Sequence, residues 1–392
     1  MYKHLKTTLT LLVLTGIFLS LLSGCGTDSR VPHNTPPPVE NPTDGSQVAP
    51  DAGDDLDLLK TPEPAPQPEE PSPLSISTST ELQEELYAAI SEVRQPLPME
   101  VSQMVWDQTP EIDIRNLYYE LIDQHPELKY AYEITVELES GALTCHLSYM
   151  PHKTGNYPAD WQGITVDTIP ELIETAAAHL GSEPLNIRMT DSAMDPDQIS
   201  YALQQVGSGY ILCSLSKDGT QLIYSPAMGM TIEECLALLK QAEELAAEAA
   251  KKLIDDTMTK REQAETLYRY LTEYVQYDRR YYSDRANMPY DSQTAVGALR
   301  DGVAICGGYS HALKLLFEQA GIPCYTATGT FGGENHMWNI AYLDGHWLWF
   351  DATADRGLSP RFELRHFAQE ELEERYFWDS TQLDQLLEEK AV

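Results

Sequence analysis

Apolar positions are unevenly spread along the 392 residues. Residues 9–22 are predominantly apolar, and residues 26–74 are poor in apolar side chains and rich in Pro, Asp, Glu and Gly. Beyond residue 75, apolar and polar positions alternate with the periods of helices and strands. Residues 231–255 are rich in Ala, Leu, Glu and Lys, all strong helix formers, and open on Thr231-Ile232-Glu233-Glu234, which fits a capping box. A second capping box, Thr259-Lys260-Arg261-Glu262, opens a helix with Ala264, Leu267, Tyr268, Leu271 and Val275 at helical spacing. Ala312, Leu313, Leu316, Phe317 and Ala320 form one stripe on a helix over residues 309–319, which Gly321, Ile322 and Pro323 stop. Residues 335–343 and 346–353 read as strands around Asp344-Gly345, the signature of a tight type I′ hairpin.

The region 75–230 predicts a smaller α+β unit with a loose internal duplication. Glu81-Leu82, Gln95-Pro96-Leu97, Thr109-Pro110-Glu111-Ile112 and Tyr149-Met150-Pro151 find counterparts in Glu171-Leu172, Glu183-Pro184-Leu185, Asp195-Pro196-Asp197 and Tyr224-Ser225-Pro226. Each copy reads as helix, strand, helix and strand hairpin. In the second copy Lys217-Asp218-Gly219 marks the hairpin turn. A chance recurrence of turn residues is the competing explanation, and no chemistry is visible in either copy.

The N-terminal stretches suggest an address. Lys3 and Lys6 precede the apolar run, which is short for a membrane span and ends in Leu22-Ser23-Gly24-Cys25. That ending resembles the bacterial lipoprotein signal and implies residues 1–25 as a signal with Cys25 lipidated. Residues 26–74 cannot bury enough surface to fold, and their prolines stiffen them into an extended spacer. The expectation is an extracytoplasmic protein held to the cell membrane by its N-terminal lipid. With 26 basic and 61 acidic residues the formal charge is −35, which argues against a nucleic-acid partner. Five cysteines remain besides Cys25: Cys145, Cys213, Cys235, Cys306 and Cys324. An odd number leaves at least one thiol free, and the lack of a Cys-x-x-Cys pair argues against a structural zinc site.

Chemistry concentrates in residues 231–392. Cys306 lies in Asp301-Gly302-Val303-Ala304-Ile305-Cys306-Gly307-Gly308-Tyr309, just where the striped helix should begin. A helix N-terminus stabilises an anion such as a thiolate, and the flanking glycines allow close approach of backbone to substrate. Within the hairpin, Tyr342 should face Trp347, Ile340 face Trp349 and Trp338 face Asp351. Alternation then sets His336 on the face of Asp351, as a diagonal neighbour within side-chain reach. Trp338, Trp349 and Thr353 share that face and can shield the pair. A shielded Asp holds the His tautomer and stabilises the imidazolium formed when a thiol ionises. A buried structural Cys, a core His and a capping Asp are the plain alternatives for each residue alone.

Residues 265–355 resemble the transglutaminase-like superfamily. The matching motifs are Tyr277-Asp278, Gly297-Ala298-Leu299, Gly302 through Ser310, Gly321-Ile322-Pro323, Gly329, Asn335-His336-Met337-Trp338-Asn339 and Gly345-His346-Trp347 leading to Asp351-Ala352-Thr353. The resemblance implies a papain-like α+β core, with a Cys-bearing helix packed on an antiparallel sheet. It implies Cys306 as nucleophile, His336 as general base and acid, and Asp351 as its orienter. Ile305 stands where the family often has Val. The family pairs the Cys backbone N–H with an upstream oxyanion donor, for which Gln293, Tyr290 and Tyr281 qualify by type only. No cofactor or metal is implied: the large eukaryotic relatives use calcium, and no EF-hand-type loop is present. The expected activity is hydrolysis of a protein or peptide amide through a thioester. Transfer of the acyl group to a lysine amine is the runner-up, and a non-catalytic surface-binding module is the alternative of another class.

Overall fold

The computed structural model describes residues 73–139, 142–227, 229–356 and 376–387, all within one compact unit, Glu69–Val392. The expected signal, Cys25 and nearly all of the spacer lie outside the described residues.

Two small sheets come first. One is built from β1 (Leu74–Ser75), α1 (Ser79–Ser91), β2 (Leu97–Glu100), α2 (Pro110–Gln124), β3 (Ala131–Glu139) and β4 (Ala142–Tyr149). A single turn, α3 (Pro151–Thr154), leads to the other. It comprises β5 (Ile164–Val166), α4 (Ile169–Ala178), β6 (Leu185–Met189), α5 (Pro196–Leu203), β7 (Ile211–Leu215) and β8 (Gln221–Pro226). Their strand orders, β1-β2-β4-β3 and β5-β6-β8-β7, are the same connectivity, with the first pair parallel and the others antiparallel. The caps repeat as well. Thr78 and Thr168 accept from the backbone N–H of Glu81 and Glu171, and α2 and α5 each open on proline. The leading strands β1 and β5 escape the sequence pattern because they are too short to show alternation.

The two sheets and their helices bury their apolar faces differently. The first closes on itself around Leu82, Leu86, Ile114 and Leu143. The second shares one continuous core with everything downstream, from Val166 to Leu386.

In the C-terminal part, α6 (Ile232–Leu253) and α7 (Lys260–Tyr274) carry both expected capping boxes. A two-residue parallel pair, β9 (Gln276–Tyr277) with β10 (Val303–Ala304), and one turn of helix, α8 (Arg280–Ser283), lead to α9 (Cys306–Gln319). The sheet that follows contains β11 (Cys324–Phe331), β12 (Glu334–Leu343), β13 (His346–Phe350) and β14 (Tyr376–Phe377), in the order β13-β12-β11-β14 and antiparallel throughout. Helix α9 packs on this sheet, with Phe317 edge-on to Phe350 at 5.5 Å between ring centroids. This is the expected α+β class, a Cys-bearing helix on an antiparallel sheet.

Two local expectations change. The second hairpin strand ends at Phe350 rather than running to residue 353. The Asp351 side chain accepts the Ala354 N–H at 3.0 Å and turns the chain into α10 (Ala352–Asp355). Strand β11 was not expected, although Gly332-Gly333, both at positive φ, join it to β12 in a two-residue turn.

Candidate active site

The hairpin register is the one the Asp344-Gly345 turn dictates. Tyr342 pairs with Trp347 and Ile340 with Trp349, with Asp344 and Gly345 at φ 54° and 83°. The ladder stops one residue short of a Trp338–Asp351 pair, yet the parity holds. Nε2 of His336 lies 2.7 Å from Oδ2 of Asp351. An ionised carboxylate only accepts, so Nε2 carries the proton and Nδ1 is left for the sulfur. Cys306 opens α9 and lines one cleft with His336. The structure thus brings together all three residues singled out in the sequence.

Burial sets the electrostatics of this group. Asp351 is 1% exposed and His336 is nearly buried. Burial works against charge on the imidazole, but the Asp351 carboxylate that accepts its Nε2–H, with the Cys306 sulfur beside it, outweighs burial and raises the ring from 6.5 to about 9. Burial also pushes the Asp351 carboxyl up, while His336, the Tyr376 hydroxyl and the Ala354 N–H together hold it below the usual carboxylate range. By contrast, burial alone pushes the Cys145 and Cys213 thiols up to about 12, and burial raises Cys324 further still. Cys145, Cys213, Cys235, Cys306 and Cys324 are all free, and Cys306 alone among them is not buried.

Tyr376 is a site residue the sequence reading missed. Its hydroxyl donates to Asp351 Oδ2 at 2.7 Å, the oxygen that also holds His336. Strand β14 delivers it by pairing Tyr376 with Phe331 at the edge of β11. The rings of His336, Trp338 and Tyr376 then lie 5.1–6.0 Å from one another, and that of Phe331 lies 4.8 Å from Tyr376 and 5.7 Å from His336, centroid to centroid. This wall of rings excludes water from the ion pair.

The floor under Cys306 comes from Asp278. Its buried carboxylate is held down at about 2 by the Arg280 guanidinium and the Ser292 hydroxyl, against the cost of burial. Ser292 in turn accepts the Ile305 N–H at 2.8 Å, which fixes the entry to α9. The glycines after Cys306 pack closely on this floor. A Cβ on Gly308 would stand 2.7 Å from the Ala304 Cβ and 2.7 Å from the Ser292 carbonyl oxygen. Neither neighbour can yield, so Gly308→Ala is expected to cost about 2–3 kcal/mol, read as a lowered urea midpoint with unchanged slope. A variant as stable as the parent would show that the floor is not rigid.

The oxyanion candidates separate. The Tyr290 hydroxyl is committed to the Gly209 carbonyl at 2.5 Å and turns away from the cleft. Gln293 is exposed and contributes its carbonyl to the packing around Gly307. Tyr281 lines the cleft with Cys306 and His336, and so does Tyr277, which the β9–β10 pair sets opposite Ala304. The N–H groups of the first turn of α9 are the unpaired donors any helix start presents. Among the described residues no cluster of three His, Cys, Asp or Glu side chains could hold a metal, and no helix is long and apolar enough to cross a membrane.

Residues 247–352 match the family model described as the transglutaminase-like superfamily. A solved structure described as "Crystal structure of a TGase" is 12% identical, and the match covers 71% of this chain and 56% of that one at a TM-score of 0.27. The chain therefore spans little more than half the length of that protein. No curated protein matches.

Proposed function

Residues 247–352 form a transglutaminase-like domain, and on that premise we propose that the protein is a thiol enzyme that cleaves protein or peptide amides. The observation that supports this most directly is the position of His336, which bonds the carboxylate of Asp351 and lines one cleft with the thiol of Cys306. In this reading His336 Nδ1 takes the thiol proton, and the sulfur adds to the amide carbonyl. The oxyanion meets the first-turn N–H groups of α9. The ring then returns the proton to the departing amine as the C–N bond breaks and a thioester remains. Water, deprotonated by the same ring, adds to the thioester; the acid leaves and the thiol is restored. Asp351 keeps the ring in one tautomer and offsets its charge, and Tyr376 orients Asp351.

Two measurements on the full chain test this. Iodoacetamide at neutral pH is expected to alkylate Cys306 at least about 100-fold faster than Cys145, Cys213 or Cys324, whose thiols burial keeps protonated. Incubation with denatured protein substrates is expected to yield new amine ends, and Cys306→Ala to abolish them. Equal labelling of all thiols would leave the fold as a binding module. Crosslinked bands in place of new ends would transfer the acyl group to lysine, and released ammonia would make the reaction a deamidation.

A further inference from the structure

The cleft around Cys306 and His336 holds only about 130 Å³, room for an amide and little else. A cavity of about 750 Å³ opens beside it. The two share Tyr277, Tyr282 and Arg356 as a common wall, and Arg279 and Glu273 line the larger one.

We propose that this larger cavity is a substrate subsite for a carboxylate-bearing side chain, so that the protein prefers acidic peptide segments. The proposal rests on the amide-cleaving reading above for what is bound in the cleft. It goes beyond that reading in assigning what flanks the amide.

Arg356 carries the argument first. Its guanidinium lies 4.5 Å above the centre of the Tyr277 ring, and Nη1 donates to the Thr353 carbonyl. Stacking and this one bond fix the plane of the fork on the wall between the two spaces, with further N–H groups left to donate. Among the described residues no carboxylate pairs with it. Arg279 lines the same cavity, is exposed, and its guanidinium makes no hydrogen bond or ion pair among the described residues. Both facts run against the composition, since acidic residues outnumber basic ones 61 to 26. Nearby arginines do find acids: Arg280 holds Asp278, Arg300 holds Asp291 and Asp301, and Arg261 holds Asp344. Two guanidiniums facing one carboxylate, Glu273, leave the cavity with an excess of positive charge. A guanidinium fork matches a carboxylate in geometry as well as in sign. The rings of Tyr277 and Tyr282 supply apolar wall for the methylenes of a glutamate.

Calorimetric titration of the full chain carrying Cys306→Ser, which binds without turnover, tests this directly. N-acetyl triglutamate amide is expected to bind about tenfold or more tightly than N-acetyl triglutamine amide. Because both arginines are solvent-accessible, each is expected to account for roughly a fivefold share. Arg279→Gln/Arg356→Gln together should erase the preference, Arg356→Lys should keep part of it, and Glu273→Gln should tighten the acidic peptide. Equal binding of the two peptides, or a preference that survives the double substitution, would overturn the subsite. Because the titration needs no chemistry, a wild-type chain that binds the acidic peptide but turns over no amide would sink the proposed reaction and keep the subsite.

Discussion

Asp351→Asn is expected to slow amide turnover by about 10³–10⁴-fold while the chain remains folded. The reason lies in three hydrogen bonds that converge on this side chain. The Ala354 N–H donates to Oδ1, and Tyr376 and His336 Nε2 both address Oδ2. An asparagine must turn its oxygen to the Ala354 N–H, since an amide nitrogen there would meet another donor. Its NH₂ then faces His336. The Tyr376 hydroxyl can rotate to accept, but the ring can accept at Nε2 only by carrying its proton on Nδ1, the nitrogen needed as base for Cys306. The substitution therefore locks the wrong tautomer without opening a void. Turnover beside wild type, with the unfolding midpoint of each, checks this. A decrease of less than about tenfold would mean that Asp351 does not set the tautomer. Tyr376→Phe is the milder companion, since it removes one donor from Oδ2 and leaves the ring's own bond in place.

The same ion pair should make stability depend on pH in a defined window. The His336 imidazole rises from 6.5 to about 9 on folding, so the folded chain binds its proton more tightly than the unfolded chain does. The stabilisation is complete below pH 6.5, declines as the ring loses its proton, and is gone above about pH 9. Its size is on the order of 3 kcal/mol for a shift of this extent. The Asp351 carboxyl moves the other way, so its stabilisation is present above the ordinary carboxylate range and lost in acid. Both describe one interaction, counted once, which supports the fold best in mildly acidic solution. Urea unfolding of wild type and His336→Gln between pH 6 and 10 reads it out, because other titrating groups cancel in the difference. The two stability curves should converge on the alkaline side by about that amount; a constant separation would mean that His336 holds no extra proton.

Much of this site was legible because its parts are local. The capping boxes at Thr231 and Thr259, the stripe on α9 and the Asp344-Gly345 turn each act within a few residues, and the turn alone fixes which strand positions face one another. That is why the neighbourhood of His336 and Asp351 could be read from alternation. What escaped depends on contacts distant in the chain or too brief to show a period. Tyr376 sits on a two-residue strand whose place is decided by the edge of β11. The Tyr277-Asp278 motif was visible in the sequence, but the place of Tyr277 in the cleft beside Cys306 depends on a parallel pair just as short. Strand β11 did leave a trace, the Gly332-Gly333 turn, which marks a hairpin as clearly as Asp344-Gly345 does. Asp351 shows a different difficulty: the cap and the partner of His336 are rival readings from sequence, and the side chain does both by spending one oxygen on each.

The two small sheets at the front of the molecule stand in unlike relations to the half that carries Cys306. Tyr210 bonds Thr294 at 2.5 Å, Gln205 brackets Thr326 with both ends of its amide, and Gly209 receives the Tyr290 hydroxyl. The sheet of β5–β8 and its helices thereby buttress the segment just ahead of Cys306, and cutting the chain at residue 231 would strip that support from behind it. The region around β1–β4 keeps its own interior, against which Leu215 of β7 packs, and Lys217 pairs with Glu133 across the boundary.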